Sequence, residues 1–252
     1  MWTGSLLLAG ALFFFLPAPA AWAEDPPIPV PAVNLTVGQS AKPADVLTSL
    51  QIVALLTVLS LAPSILVLTT AFTRIIVVLS FTRSALATQN MPPNQVLVGL
   101  ALFLTFFVMA PTWTRINTDA LQPYLKGDLT QAQALEKGSK PLRDFMLKQT
   151  NEKDLALFVN LSGLPRPEKQ EDLPTYVVIP AFAVSEIATA FRIGFLIFIP
   201  FIVIDMVVAA TLMSMGMLML PPMMISLPFK ILLFVMMDGW RLVVQYLVTS
   251  FH

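Results

Sequence analysis

The sequence predicts an all-α membrane protein of kinked helical hairpins, with one small and mostly helical insert outside the membrane. Three observations carry that reading. Of 252 residues, 56% are hydrophobic and 12% are charged, with a mean hydropathy of +0.77, whereas soluble globular chains carry about 25% charged residues. The charges are gathered, because eighteen of the thirty acidic and basic side chains fall within residues 112–175. The remaining long stretches are apolar and broken by proline, as expected of a polytopic membrane chain.

Residues 1–23 read as a signal peptide. Leu6 to Leu16 is an apolar run, Pro17 breaks it, and Ala21-Trp22-Ala23 forms a small-x-small cleavage site before Glu24-Asp25. The first five residues lack the usual Lys or Arg. Residues 24–44 hold Pro26, Pro27, Pro29 and Pro31 and read as an extended linker.

A first helical hairpin is expected over 45–111. The apolar stretch Val46–Phe81 exceeds the ~20 residues of one span, so a spanning helix fills about its first two thirds and its continuation projects beyond the membrane. Met91-Pro92-Pro93-Asn94 marks a turn. Val96–Ala110 is a second apolar run, short for a span and ended by Pro111. Between Thr73 and Gln95 stand Arg74 and Arg83 and no acid, which puts that side in the cytoplasm and the insert outside it.

The insert, 112–175, shows helical spacing at Leu142, Phe145, Met146 and Gln149 and again at Leu155, Phe158 and Val159. It is too short to have much core of its own. A second hairpin over 176–252 begins with a span from Tyr176 to Ile199, ended or kinked at Pro200. Phe201–Leu220 is apolar and Met-rich, Pro221-Pro222 makes a sharp break, and Leu227–Phe251 reads as the fourth span.

Composition narrows the function. Equal numbers of acidic and basic residues give no net charge, so a nucleic-acid partner is not expected. The chain has no Cys and a single His, His252, which leaves no thiolate chemistry, no histidine-based zinc site and no catalytic triad. No phosphate-cradling glycine loop or nucleophile–base pair occurs. Neither an enzymatic function nor a cofactor is expected.

Two residue sets stand out. The first is the charged side chains within apolar helices, each costing on the order of 3 kcal/mol at a span centre. Glu186 and Arg192 are six residues apart and do not face each other, so their partners lie on another helix or subunit. Asp205 sits early in the Met-rich run. Lys230, Asp238, Arg241 and Gln245 fall on one helical stripe, on which Asp238 and Arg241 can pair at i, i+3. Such residues serve as inter-helix ion pairs, a subunit-interface network, or a proton or ion path. The second set is methionine. Nine of the thirteen lie between Met206 and Met237, and Met213, Met215, Met217 and Met219 alternate around Gly216 before the proline pair. On an irregular turn this spacing lines flexible, polarizable side chains along one side. They either pack a helix end or close a pore pliably.

Three ordered stretches carry a resemblance. They are Phe72–Val96, with Phe81-Thr-Arg-Ser and Met91-Pro-Pro-Asn; Pro180–Gly194, reading Pro-Ala-Phe-Ala-Val-Ser-Glu-Ile-Ala-Thr-Ala-Phe-Arg-Ile-Gly; and Pro228–Trp240, reading Pro-Phe-Lys-Ile-Leu-Leu-Phe-Val-Met-Met-Asp-Gly-Trp. Across nearly all of 45–250 the chain resembles the FliP family of bacterial flagellar export-gate proteins and its virulence-system relatives. The resemblance implies a homo-oligomer, a pentamer, that coils with FliQ- and FliR-type subunits into a helical pore at the flagellar basal body in the inner membrane. Its cargo would be unfolded secreted flagellar proteins, and the insert would be periplasmic. The implied gasket is Met217-Leu218-Met219, with Met213 and Met215 close by; some members carry Met where this chain has Leu218. Glu186, Arg192, Asp205, Lys230, Asp238 and Arg241 would make contacts between helices or subunits. The alternative is a secondary transporter or ion channel for small solutes. It predicts internal repeats and a midplane site, and the two halves show no clear repeat.

Overall fold

The computed structural model describes residues 43–88, 90–163, 169–217 and 219–251. The expected signal segment, nearly all of the linker 24–44, Leu218 and His252 lie outside the described residues. Every regular element among the described residues is helical, and three helices are long and apolar enough to cross a membrane, or four if one bent pair counts as a span.

Helix α1 (Pro43–Thr69) runs through Pro63, and α2 (Phe72–Ala85) follows after a two-residue break. The apolar stretch 46–81 is therefore two helices rather than one. At the break, the hydroxyls of Thr69, Thr70 and Thr73 donate to the carbonyls of Ile65, Leu66 and Val67 at 2.8, 2.7 and 2.8 Å. Threonine hydroxyls can take over carbonyls that the backbone leaves free, and here they satisfy the end of α1. The faces of α1 are bare, with Leu55 and Leu59 each 66% exposed.

Helix α3 (Asn94–Ile116) does not end at Pro111. It continues through a π-helical turn, Asn117–Leu121, into α4 (Gln122–Lys126), giving one apolar helical run of 33 residues. Proline removes one N–H and crowds one carbonyl, while α2 and α5 pack along α3 and hold it in place. Gly127, at φ 85°, supplies the left-handed residue that ends α4.

In the insert, α5 (Gln131–Gln149) starts with a capping box. Thr130 Oγ1 accepts from Gln133 N at 3.4 Å, and Gln133 Oε1 accepts from Thr130 N at 3.0 Å. Helix α6 (Glu152–Leu161) follows. The insert's core is larger than its own length supplies, because it borrows the first turns of the next helix. Met146, Leu155 and Val159 pack with Val177, Val178, Ala181 and Phe182.

Helix α7 (Thr175–Ser214) is 40 residues long and passes through both Pro180 and Pro200. The expected span 176–199 and the apolar run after it are one helix, about 60 Å in length. Helix α8 (Pro222–Met236) returns from it and has its proline at N1. The expected fourth span is broken, since α9 (Gly239–Thr249) leaves α8 at 63°. Asp238 takes a left-handed φ of 50° at the corner, and Gly239 lies under Phe234, where a Cβ would come within 2.2 Å of the ring. The principal core joins α2, α3, α7, α8 and α9 through Ile75, Leu79, Met109, Ile193, Phe234 and Leu247. Leu142 and Phe145 of α5 touch both cores.

Helices α2 and α7 pack closely at Gly194, where an added Cβ would lie 2.6 Å from Phe81 Cγ. Overpacking of this kind typically costs about 1–3 kcal/mol. Gly194→Ala is therefore expected to unfold at a lower temperature in detergent than the parent; an unchanged midpoint would contradict this close approach.

Candidate functional site: buried ion pairs and a methionine-rich turn

The charges inside the apolar bundle are not scattered. Arg74 of α2 and Glu186 of α7 are 2% and 0% exposed and form a bidentate pair. Arg74 Nε donates to Glu186 Oε2 at 3.0 Å, and Nη2 donates to Oε1. The guanidinium has further partners. Nη2 donates to Gln149 Oε1 at 3.0 Å, while Nη1 donates to the Ser250 carbonyl at 2.8 Å and to its hydroxyl at 3.2 Å. All five N–H groups of the side chain are engaged, and its plane rests 3.9 Å over the Phe251 ring. Gln149 Nε2 donates in turn to the Phe251 carbonyl at 2.9 Å. One side chain thus joins α2, α5, α7 and the segment after α9. One residue before Glu186, Ser185 donates to Asp154 at 2.5 Å and accepts from the Asn151 backbone N–H at 3.0 Å, fixing α6 to the same turn of α7.

A second pair fastens the α7–α8 hairpin. Lys230 Nζ donates to Asp205 Oδ2 at 2.6 Å, and Ser226 Oγ donates to Oδ1 at 2.5 Å. Nineteen residues of α7 separate Glu186 from Asp205, about 28 Å along the axis. The two pairs are therefore separate fasteners and not one convergent site of the kind a small-solute transporter needs. No cluster of three or more His, Asp or Glu that could hold a metal ion occurs among the described residues.

Beyond the second pair lies the turn between α7 and α8. Gly216 N–H bonds to the Met213 carbonyl at 3.1 Å and Met217 N–H to the Leu212 carbonyl at 3.0 Å, with Gly216 at φ 74°. This is a Schellman ending, and it needs a residue free to adopt positive φ. Around it the chain presents Met215 and Met219, 70% and 98% exposed, with Met213 and Met217 also exposed. Leu218 lies outside the described residues.

The family model described as the FliP family matches residues 55–247, a stretch that holds both ion pairs and the methionine turn. The chain belongs to the FliP family. Similar proteins include that of Bacillus subtilis (strain 168), 57% identical over 217 residues, which cover 86% of this chain and 98% of the relative. The Caulobacter vibrioides protein is 53% identical, covering 88% of this chain and 82% of its own length. The protein of Pectobacterium carotovorum is 48% identical, covering 98% and 92%. Each is called flagellar biosynthetic protein FliP.

In this FliP-family chain the six charged candidates divide. Glu186, Asp205 and Lys230 find partners on other helices of the same chain. Arg192, Asp238 and Arg241 are exposed, and their side chains make no hydrogen bond or ion pair with any described residue. The i, i+3 pair of Asp238 with Arg241 is not formed, because Asp238 sits at the left-handed corner and not inside α9. The stripe with Lys230 is likewise cut by the 63° bend.

Sequence reasoning read Arg74 only as a marker of orientation, and Gln149 only as part of a helical face. An arginine within an apolar run was the same signal that singled out Glu186.

Removing one member of a buried pair leaves an uncompensated charge and typically costs about 3–5 kcal/mol. Arg74→Ala and Glu186→Ala should each lower the thermal midpoint sharply in detergent, and the double variant should cost less than the two single changes together. Strict additivity would deny the coupling.

Proposed function

We propose that the chain is the pore-forming core subunit of a flagellar type III protein export gate. In this reading it resides in the bacterial inner membrane at the basal body, with its insert on the periplasmic side. It forms a pentamer with FliQ- and FliR-type subunits and conducts unfolded flagellar proteins. Residues 1–23 act as the signal peptide.

The observation that carries this reading is the methionine turn. A long hairpin, braced by Asp205 and Lys230, presents thioether side chains at its tip that are exposed among the described residues. Exposed large apolar surface of this kind marks an interaction site. Methionine is unbranched, flexible and polarizable, so a ring of such tips closes a narrow passage and still yields to chains of differing sequence. Met217, Leu218 and Met219 form the constriction, with Met213 and Met215 behind them. The bare faces of α1 and of α3, where Phe103, Phe106 and Phe107 are exposed, are the surfaces for neighbouring subunits or lipid.

The test is the double variant Met217→Ala/Met219→Ala in secreting cells. The expected outcome is a raised resting ion conductance, read as salt-dependent growth inhibition, while secretion continues. A double variant that stays sealed and secretes normally would defeat the gasket.

A further inference from the structure

Six charged side chains lie between Thr175 and Phe251. Two of the three acids, Glu186 and Asp205, are paired within the chain, as is one of the three bases, Lys230. The acid left over is Asp238, and the bases left over are Arg192 and Arg241. Arg192 and Arg241 are exposed on helices otherwise suited to lipid or protein, and Asp238 is exposed at the corner between two of them; charge in such a place faces protein or water.

Their positions decide how they can meet. Arg192 sits amid exposed Ala188, Phe195 and Ile199, one turn before and one and two turns after it on α7. That face is opposite the one α7 turns to its own neighbours, where Glu186 meets Arg74, Gly194 meets Phe81 and Phe201 meets Phe234. Asp238 stands at the α8–α9 corner, on elements that pack against that other side. The two charges therefore lie on opposite sides of α7. Arg241 shares the corner with Asp238.

We propose that Arg192 of one copy pairs with Asp238 of the next copy, forming a head-to-tail interface between second-hairpin faces. This rests on the ring reading above. Two different faces of one subunit that complement each other generate a ring or a helix, not a closed dimer, and the opposite charges set orientation and register. Phe234 packs on Phe201, and Leu242 and Tyr246 line one groove with Ile197. Asp238 thus stands level with about residue 199 of α7, roughly seven residues or about 10 Å along the axis from Arg192. The pairing accordingly requires copies stepped along the axis, with the long arginine side chain covering part of the step.

The chain's lack of cysteine permits a clean test. Full-length Arg192→Cys and Asp238→Cys chains, carrying different tags, are co-expressed in the membrane and treated with a bismaleimide long enough to cover the offset. The expected product is a dimer carrying both tags, absent when either variant is expressed alone. Charge reversal gives the second arm. Arg192→Glu should abolish the oligomer peak after detergent extraction, and adding Asp238→Lys in the same chain should restore it. Because Lys at a left-handed position strains the backbone, Asp238→Asn, which tolerates that φ, serves as the backbone-neutral variant and should also diminish the peak. Products only between like variants, or none, from an intact oligomer overturn the pairing and leave the ring standing. A parent protein that is monomeric overturns the ring itself.

Discussion

A charge placed among apolar helices must find its counterpart or leave, and that constraint organises this chain. Arg74 meets it fully, with a carboxylate on α7, an amide on α5, a carbonyl and hydroxyl beyond α9, and an aromatic face beneath. These partners are far apart in sequence, so the insert and the chain end cannot reach their positions independently of the bundle. A neutral side chain of similar length would pack but would not fix which four segments converge. Here the polar contact selects the arrangement, and the surrounding apolar core supplies most of the stabilisation.

From that clamp the geometry runs along α7. Its first turns form the insert's core, its middle carries the close packing at Gly194, and its far half is held to α8 by Asp205, Lys230 and Ser226. A helix about 60 Å long, fastened at two levels, is a stiff arm, and Met213, Met215, Met217 and Met219 cluster at its tip. Rigid positioning of a compliant group is the arrangement a seal needs, since the contact must yield while its location must not.

Much of this was readable beforehand. The all-helical membrane class followed from composition, and the methionine turn from Gly216 and the Pro221-Pro222 pair. Prolines misled in both directions. Pro111 and Pro200 looked like ends but sit inside continuous helices, because one lost N–H bond is a smaller loss than uncovering a packed helix. The real break at Met237-Asp238 carries no proline; Asp238 takes the left-handed φ of 50° there, and the turn dipeptide Asp238-Gly239 lets the ring of Phe234, five residues earlier, lie over Gly239. The charged positions were found from hydropathy alone, but their partners were not. Arg74 and Glu186 are over a hundred residues apart, and the helical stripe joining Lys230 to Asp238 assumed a straight helix. With Arg74 held in the clamp, Arg83 alone is left to mark the side of that connection.

What the single chain leaves unfinished is as informative as what it completes. Among the described residues, bare leucines on α1 and exposed phenylalanines on α3 and α7 face lipid or further protein, while three unmatched charges of the second hairpin and the exposed methionine tip ask for further protein around them. The account holds that copies of the same chain supply it, around a central axis lined at one level by the methionine tips. The mass of the particle purified in mild detergent, corrected for bound detergent, tests this most directly. The account predicts a pentameric assembly or a complex containing one, and a particle of the monomer's mass, stable and fully folded, would contradict it.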